Sequence, residues 1–299
     1  MLMVKKKVKK AGKKIKSSVK KSKTFKKLLK KNKVSKKVNN KASKKMNKVK
    51  RKVIGNVAEK KSNKNRIERV PTYIPGFDRL IEGGFEKDST NLLVGDSGSG
   101  KSIFSTQFLI GGMKKGEKCL YVTFEEKKDQ FYMNMKKFGW DLESYEKKGL
   151  FNFLEYTPAK VKTMLEEGGG EIERIILGKK VTRLVIDSIT SFALLFEDEL
   201  SKREAALSLF GMLGGWDCTS LLTLEENPMK GTLSPKVLEF EADSILAVYF
   251  IRDEKERKRF IEVLKMRGTD HSTSVYSFDM GRSGIIIGKS PVKNPIKII

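Results

Sequence analysis

The chain has 299 residues and a formal net charge of +27, from 63 Lys and Arg residues against 36 Asp and Glu residues. The charge is concentrated at one end, because residues 1–66 hold 29 basic residues and a single acidic one, a net charge of +28. Residues 67–299 hold 34 basic and 35 acidic residues, so this body of 233 residues is nearly neutral. The division excludes a uniformly basic fold and predicts a globular body preceded by a polycationic arm.

The arm over residues 1–66 is rich in lysine and poor in apolar residues. Such a segment cannot bury enough apolar surface to fold alone, so we expect it to be disordered. Apolar residues between Val4 and Val19 recur near helical spacing, which would permit a basic amphipathic helix on an acidic partner. Lysines neutralise phosphates without reading base sequence, so nucleic acid is the expected partner of the arm. An anionic membrane surface and a solvated tail without a dedicated partner are the alternatives.

The composition also bears on location and on metal chemistry. Lysines follow residues 1–4 at once, and no apolar run approaches the ~20 residues of a membrane span. We therefore expect a cytoplasmic protein, associated with the nucleoid if the arm binds nucleic acid. Cys119 and Cys218 lie in apolar segments and are expected to be buried, reduced thiols. With His271 as the only histidine and no cysteine cluster, a zinc site is not expected.

The first motif with a clear chemistry follows an apolar strand predicted over Thr90–Gly95. Residues 95–102 fit the pattern G-x-x-x-x-G-K-[ST], and a helix with Ile103, Phe104 and Phe108 on its buried face is predicted after them. In such a P-loop, backbone N–H groups and the helix N-terminus surround phosphates, the lysine reaches the β- and γ-phosphates, and the last hydroxyl binds Mg²⁺. The residues expected to bind the nucleotide are Gly95, Asp96, Ser97, Gly98, Ser99, Gly100, Lys101 and Ser102.

Two further predicted strands end in carboxylates. The strand Arg183–Asp187 ends in an acid at the edge of an α/β sheet where ligands bind, so Asp187 is the second candidate Mg²⁺ ligand, acting through water. The strand over residues 119–124 is followed by Glu125 and Glu126 at the same edge, where a carboxylate can polarise the attacking water. Acidic residues also suit a helix N-terminus, so helix capping is the alternative for this pair.

Motifs along the body recur in the order found in one protein family. They occupy residues 70–78, 83–84, 95–102, 121–126, 138–141, 185–190, 222–225 and 264–271. Together they resemble the KaiC-like branch of the RecA superfamily of P-loop ATPases, over nearly the whole body. The resemblance implies a RecA-like α/β fold with a mainly parallel central sheet flanked by helices and with C-terminal antiparallel strands. It also makes Glu125 and Glu126 the paired catalytic glutamates of the family, acting together with Lys101.

Members of this family assemble as ring hexamers with ATP between the subunits. The resemblance therefore implies a homo-oligomer that binds ATP and Mg²⁺. Lys265 and Arg267 match residues that reach the γ-phosphate from the adjacent subunit, and Thr269 and His271 match neighbours that line the same site. Without the surrounding motif, Lys265 and Arg267 would be interpreted as solvated side chains at a strand edge.

The chain also departs from the clock protein that names the family. It holds one copy of the domain instead of two, has no convincing match to the paired Ser/Thr autokinase sites, and adds a lysine-rich arm. The expected function is Mg²⁺-dependent binding and slow hydrolysis of ATP by a regulatory ATPase that its arm tethers to nucleic acid. The alternatives are a DNA-dependent recombinase or helicase-type motor, and an ATP-binding scaffold that does not hydrolyse.

Overall fold

The computed structural model describes residues 67–157, 160, 170–190, 196, 198–230, 237–253 and 256–293. The arm expected over residues 1–66, with its disorder or conditional helix, lies outside the described residues. The strands are β1 (Arg69–Val70), β2 (Phe85–Glu86), β3 (Thr90–Gly95), β4 (Cys119–Thr123), β5 (Phe151–Glu155), β6 (Arg183–Asp187), β7 (Thr219–Glu225), β8 (Ser244–Asp253), β9 (Glu256–Met266), β10 (Tyr276–Gly281) and β11 (Gly284–Pro291). The helices are α1 (Lys101–Met113), α2 (Lys128–Lys136), α3 (Leu142–Lys147), α4 (Gly170–Lys179), α5 (Glu199–Gly215) and α6 (Val237–Glu241).

Nine of these strands form one sheet in the order β11-β10-β9-β8-β3-β7-β6-β4-β5. The six strands from β8 to β5 in this order run parallel to one another. The three C-terminal strands β9, β10 and β11 extend the sheet with antiparallel pairing. A separate two-stranded sheet pairs β1 with β2. This architecture confirms the expected RecA-like fold with its parallel centre and antiparallel extension.

The central strands β3 and β7 are buried along almost their whole length because helices cover both faces of the sheet. Leu93 of β3 packs in the same cluster as side chains of α1, α2 and α3. Leu92 and Val94, its neighbours, pack on the opposite face with side chains of α4 and α5. No helix among the described residues combines the length and the apolar content needed to cross a membrane.

Both cysteines lie in this core as free thiols, as expected from the sequence. Cys119 begins β4 and Cys218 immediately precedes β7. Burial raises the pKa of the Cys218 thiol to about 11 and also raises the pKa of Cys119. At neutral pH both side chains are therefore protonated and act as small apolar residues.

The register of the parallel strands determines where the functional residues lie. Gly95 at the end of β3 pairs with Glu225 at the end of β7, and Thr123 at the end of β4 pairs with Asp187 at the end of β6. Parallel strands place their carboxyl ends on one edge of the sheet. The P-loop and the acidic strand ends therefore meet at a common edge.

A buried arginine at the start of β6 connects this strand to α1, the helix that follows the P-loop. Arg183 is fully buried, and its guanidinium makes two 2.7 Å hydrogen bonds to the two carboxylate oxygens of Glu117. The remaining nitrogen, Nη1, donates to the carbonyl oxygens of Phe108 in α1 (2.9 Å) and of Pro71 (3.0 Å). Bidentate pairing of this kind offsets the desolvation of the buried charge.

We predict that Glu117→Ala destabilises the protein by about 3 kcal/mol, because it leaves the buried Arg183 charge unpaired. Urea unfolding followed by tryptophan fluorescence measures the free energy of unfolding. Glu68→Ala is the matched control, because its ion pair with Lys87 is solvent-exposed and contributes less than about 1 kcal/mol. Equal losses in the two variants would contradict the importance of the Arg183 pair.

Candidate functional site

An open pocket of about 400 Å³ lies at the carboxyl edge of the sheet. It brings together most of the residues that the sequence predicts to handle the nucleotide. Those that line it are Ser97, Gly98, Gly100, Lys101, Ser102, Glu125, Glu126 and Asp187. Gly95, Asp96 and Ser99 belong to the same loop and are not among the lining residues. The pocket therefore joins the P-loop, the candidate metal ligands and the candidate bases in one chain.

Glycine is required at two positions of the loop for different reasons. Gly100 directly precedes α1 and has φ = 105°, in the left-handed region that a side chain disfavours. At Gly95 a Cβ atom would lie 2.5 Å from the carbonyl oxygen of Val248 on the adjacent strand β8. The loop can therefore turn sharply from β3 into α1 while its backbone stays close to the sheet.

Lys101 is folded over the P-loop. Its Nζ donates to the carbonyl oxygens of Gly95 (2.8 Å) and Asp96 (3.0 Å), and the residue is only 8% exposed. Burial lowers the pKa of Lys101, while nearby carboxylates, first Glu225 and then Asp187, act in the opposite direction. The loop thus presents a positioned ammonium group, the type of group that neutralises charge on a phosphate.

Asp187 is held by hydroxyl groups from both neighbouring strands. Its Oδ2 accepts a 2.5 Å hydrogen bond from the phenol of Tyr121 on β4, and its Oδ1 accepts one from Thr223 on β7. Burial and the Asp187 charge raise the pKa of Tyr121 well above its usual range, with a smaller opposing effect from Ser102. Tyr121 is therefore a proton donor at any physiological pH.

The residues of the pocket fit a Mg²⁺ ion held jointly with a nucleotide. Mg²⁺ is commonly bound by one or two protein oxygens, substrate phosphates and waters. Ser102 and Asp187 supply a hydroxyl and a carboxylate in the same pocket as Lys101. No cluster of three or more His, Cys, Asp or Glu side chains suited to a metal occurs in the described part of the chain. The donors thus match a metal bound with a phosphate ligand, as opposed to an all-protein cage.

Glu125 and Glu126 follow β4 and are held by different partners. Ser188 Oγ donates to Glu125 Oε1 at 3.2 Å, and Asn134 Nδ2 donates to Glu126 Oε1 at 2.9 Å. Burial raises the pKa of Glu126, and the hydrogen bond from Asn134 partly opposes this rise. A partly buried carboxylate with a raised pKa is a better proton acceptor than a fully exposed one.

The alternative explanation for these acids was capping of the next helix. That helix, α2, begins at Lys128, and its N-cap residue Lys127 makes no side-chain capping bond. The N–H of Lys128 instead donates to Glu155 Oε1 at 2.7 Å. Glu155 thus supplies a capping contact, while the carboxylates of Glu125 and Glu126 line the pocket.

Two charged residues of the pocket carried no predicted role. Glu225 ends β7 and could have been found by the same reasoning that selected Asp187. Arg259 on β9 donates to the carbonyl oxygen of Gly98 from Nε (3.3 Å) and Nη2 (3.1 Å), and its guanidinium lies 4.2 Å from the ring centroid of Phe250. Burial lowers the pKa of Arg259. Its position depends on the pairing of β9 with β8, which no local sequence signal indicates.

The remaining predicted site residues lie elsewhere. We call them the β9 cluster, which consists of Lys265, Arg267, Thr269 and His271. β9 runs antiparallel to β8, so that Met266 pairs with Ser244, which in turn pairs with Asn91 near the start of β3. The P-loop leaves the other end of β3 at Gly95, about 13 Å further along the strand. The β9 cluster is therefore at the opposite edge of the sheet from the pocket of its own chain.

The two cations of the β9 cluster contact the end of α6. Lys265 Nζ donates to the carbonyl oxygens of Ala242 (2.7 Å) and Phe240 (3.4 Å). Arg267 donates to the same Phe240 carbonyl and pairs with Asp243 at 3.4 Å. Cations near the C-terminus of a helix interact favourably with its exposed carbonyl groups. These contacts hold the two side chains together at the surface.

The other two members of the cluster make local contacts. Thr269 Oγ1 accepts a 2.6 Å hydrogen bond from Arg69 and donates to the carbonyl of Arg267 at 3.3 Å. His271 Nδ1 lies 3.1 Å from the carbonyl oxygen of Ser272, to which it can donate. The cluster is thus an ordered polar surface next to the small β1–β2 sheet.

Comparison with known proteins agrees with this geometry. The family model described as "ATPase: KaiC" matches residues 70–292, which is most of the chain. The chain belongs to the KaiC family. This confirms the resemblance predicted from the motif order.

Individual members of the KaiC family show how far the similarity extends. The chain is 33% identical to the circadian clock protein KaiC3 of Synechocystis over 74% of its own length and 46% of that protein. It is 34% identical to a UPF0273 protein of Pyrococcus furiosus over 74% of its length and 94% of the relative. A crystal structure of a KaiC-like protein from Pyrococcus horikoshii is similar with a TM-score of 0.67 and 38% identity, over 75% of this chain and all of the other. The chain thus spans about half of the clock protein and nearly all of the single-domain relatives.

Proposed function

We propose that this KaiC-family protein binds ATP with Mg²⁺ and hydrolyses it slowly as a regulatory ATPase. The observation that carries the proposal is the meeting of Lys101, Ser102, Asp187 and the two glutamates in one pocket. Hydrolysis of a phosphoanhydride is catalysed mainly by positioning and by charge stabilisation. The pocket contains groups suited to positioning the phosphates and groups suited to stabilising their charge.

Different residues of the pocket are assigned to phosphate binding, metal binding and proton transfer. The P-loop backbone and Lys101 bind the phosphates, and Ser102 and Asp187 hold the metal. Bound Mg²⁺ neutralises charge that develops on the phosphate oxygens. Glu126, whose pKa burial raises, and Glu125, which Ser188 orients, are placed to accept the proton of the attacking water. The energy of hydrolysis then drives a change of conformation or assembly.

We predict that Lys101→Ala abolishes turnover, because it removes the ammonium group that contacts the phosphates. A double Glu125→Gln, Glu126→Gln variant should lower kcat by at least about 100-fold while ATP still binds, because amides cannot accept the proton. Phosphate release and binding of a fluorescent ATP analogue measure the two effects. The control Glu204→Gln changes an exposed carboxylate on α5 and should have no effect. Undiminished turnover in the Lys101 variant would refute the proposal.

We further propose that the β9 cluster acts on ATP bound to an adjacent copy of the chain. The cluster lies at the sheet edge opposite its own P-loop, so one copy can contribute a P-loop and the next can contribute Lys265 and Arg267. Exposed apolar side chains lie beside the two cations, with Phe240 67% and Leu264 48% exposed. A head-to-tail contact forms a ring when the rotation between neighbouring copies closes, and a hexamer is the ring that the family resemblance implies.

Mixing two inactive variants tests whether the site is shared. Lys101→Ala lacks a working P-loop, and the double variant Lys265→Ala, Arg267→Ala lacks the contributed cations. A 1:1 mixture that exchanges subunits should recover about one quarter of wild-type turnover, since that share of head-to-tail interfaces has both intact halves. Mixing Lys101→Ala with Glu125→Gln, Glu126→Gln is the control, because both defects lie on the same side of the interface and no activity should return. Equal recovery in both mixtures, or none in either, would contradict a shared site.

We propose that the arm over residues 1–66 tethers this ATPase to nucleic acid in the cytoplasm. The support is its net charge of +28 beside a body that is nearly neutral. Neutralising many phosphates gives strong binding that weakens steeply with salt. The arm would then set location and affinity, while the chemistry belongs to the body.

Deleting residues 1–66 should lower affinity for a duplex DNA by more than about 10-fold at low salt and leave ATP binding unchanged. Fluorescence anisotropy with labelled DNA, repeated over a salt series, measures the affinity and its salt dependence. Binding of both proteins to vesicles that contain anionic lipid is measured in parallel. Preferential binding to vesicles would contradict nucleic acid as the partner, and DNA-stimulated turnover that survives the deletion would favour a recombinase-type motor instead.

A further inference from the structure

The carboxylate of Asp187 is fixed at both of its oxygens. Asp187 ends β6, and the donors come from the strands on either side: Tyr121 from β4 bonds Oδ2 at 2.5 Å, and Thr223 from β7 bonds Oδ1. The register explains how both reach it. Asp187 pairs with Thr123, and Tyr121 lies two residues earlier on the same face. On the other side Ile186 pairs with Leu222, so the residues that follow them, Asp187 and Thr223, are neighbours. The carboxylate is thus restrained from turning about its own axis.

Neither hydroxyl is free to turn toward solvent. Tyr121 and Thr223 are both buried, with 1% and 0% of their surface exposed. The ring of Tyr121 is packed between other aromatic rings, with centroids 4.4 Å from Phe131 and 5.7 Å from Phe153. The phenol therefore reaches Asp187 from a side chain whose position packing already determines.

Ser102 is the other candidate Mg²⁺ ligand. Ser102 and Asp187 both line the pocket, whereas Tyr121 and Thr223 do not. The two candidate ligands thus face the pocket, and the two hydroxyl donors hold Asp187 from the sheet side.

We propose that Tyr121 and Thr223 are positioning residues for the metal, holding Asp187 in the orientation that binds Mg²⁺ with the nucleotide. This inference rests on the proposed function, since it concerns the same site. Each carboxylate oxygen has two lone pairs, so one hydrogen bond to each leaves the others for metal-bound water. Hydrogen bonds behind a metal ligand commonly change metal affinity or activity by about 10-fold to 100-fold. They have little direct effect on the nucleotide, which the P-loop holds.

The experiment measures metal binding apart from turnover, in the full chain. Mn²⁺ is titrated into the complex with a non-hydrolysable ATP analogue and followed by electron paramagnetic resonance. The affinity of a fluorescent ATP analogue is measured separately in EDTA. Tyr121→Phe, which keeps the packed ring, and Thr223→Val should each weaken Mn²⁺ binding by about 10-fold and leave the metal-free nucleotide affinity unchanged.

Two controls separate this role from a general effect on folding. Tyr249→Phe removes a buried phenol that bonds the carboxylate of Glu262, away from the pocket, and should leave Mn²⁺ binding unchanged. Thr223→Ser retains a hydroxyl and should recover most of the affinity that Thr223→Val loses. Recovery by serine distinguishes a hydrogen bond to Asp187 from the packing of a methyl group.

Several outcomes would overturn the inference. Wild-type Mn²⁺ affinity in both Tyr121→Phe and Thr223→Val would show that the hydroxyls do not position Asp187. An equal loss of nucleotide binding in EDTA would show a general structural role. If the wild-type chain binds Mn²⁺ and the analogue but never hydrolyses ATP, the proposed function fails while the positioning role stands, because its readout does not require turnover.

Discussion

The register of the parallel strands is the constraint on which the rest of the molecule depends. Gly95 pairs with Glu225 between β3 and β7, and Asp187 pairs with Thr123 between β6 and β4. A slip of one residue would turn Asp187 from the α1 side of the sheet toward the other face, away from the P-loop. Buried apolar residues on both faces, together with the Arg183–Glu117 pair at the start of β6, oppose such a slip.

The same sheet places residues of β9 at both of its ends. Because β9 returns antiparallel beside β8, it carries Arg259 toward the pocket and Lys265 away from it. β9 therefore contributes charged residues at both ends of the sheet. Under the proposal that the β9 cluster acts on ATP bound to an adjacent copy, a single chain would have an incomplete ATP site, which would give a physical reason for ring formation.

Much of this could be predicted from the sequence because the informative signals are local. The P-loop spacing, the apolar strands and the strand-terminal acids depend on neighbouring residues, and all of them reappear in the structure. Arg259 could not be found, because it lies in a basic run and only the β8–β9 pairing directs it to the pocket. Tyr121 and Thr223 were hidden for a similar reason: each looks like an ordinary strand residue until its strand is placed beside β6.

The most direct test of a shared ATP site is the dependence of specific activity on protein concentration, with the mass of the full chain measured by mass photometry in the same solutions. The account predicts that ATP and Mg²⁺ assemble the chain into a ring of the hexamer mass, and that turnover per chain falls as dilution dissociates the ring. A chain that hydrolyses ATP at the same rate per molecule while its mass remains that of a monomer would contradict it.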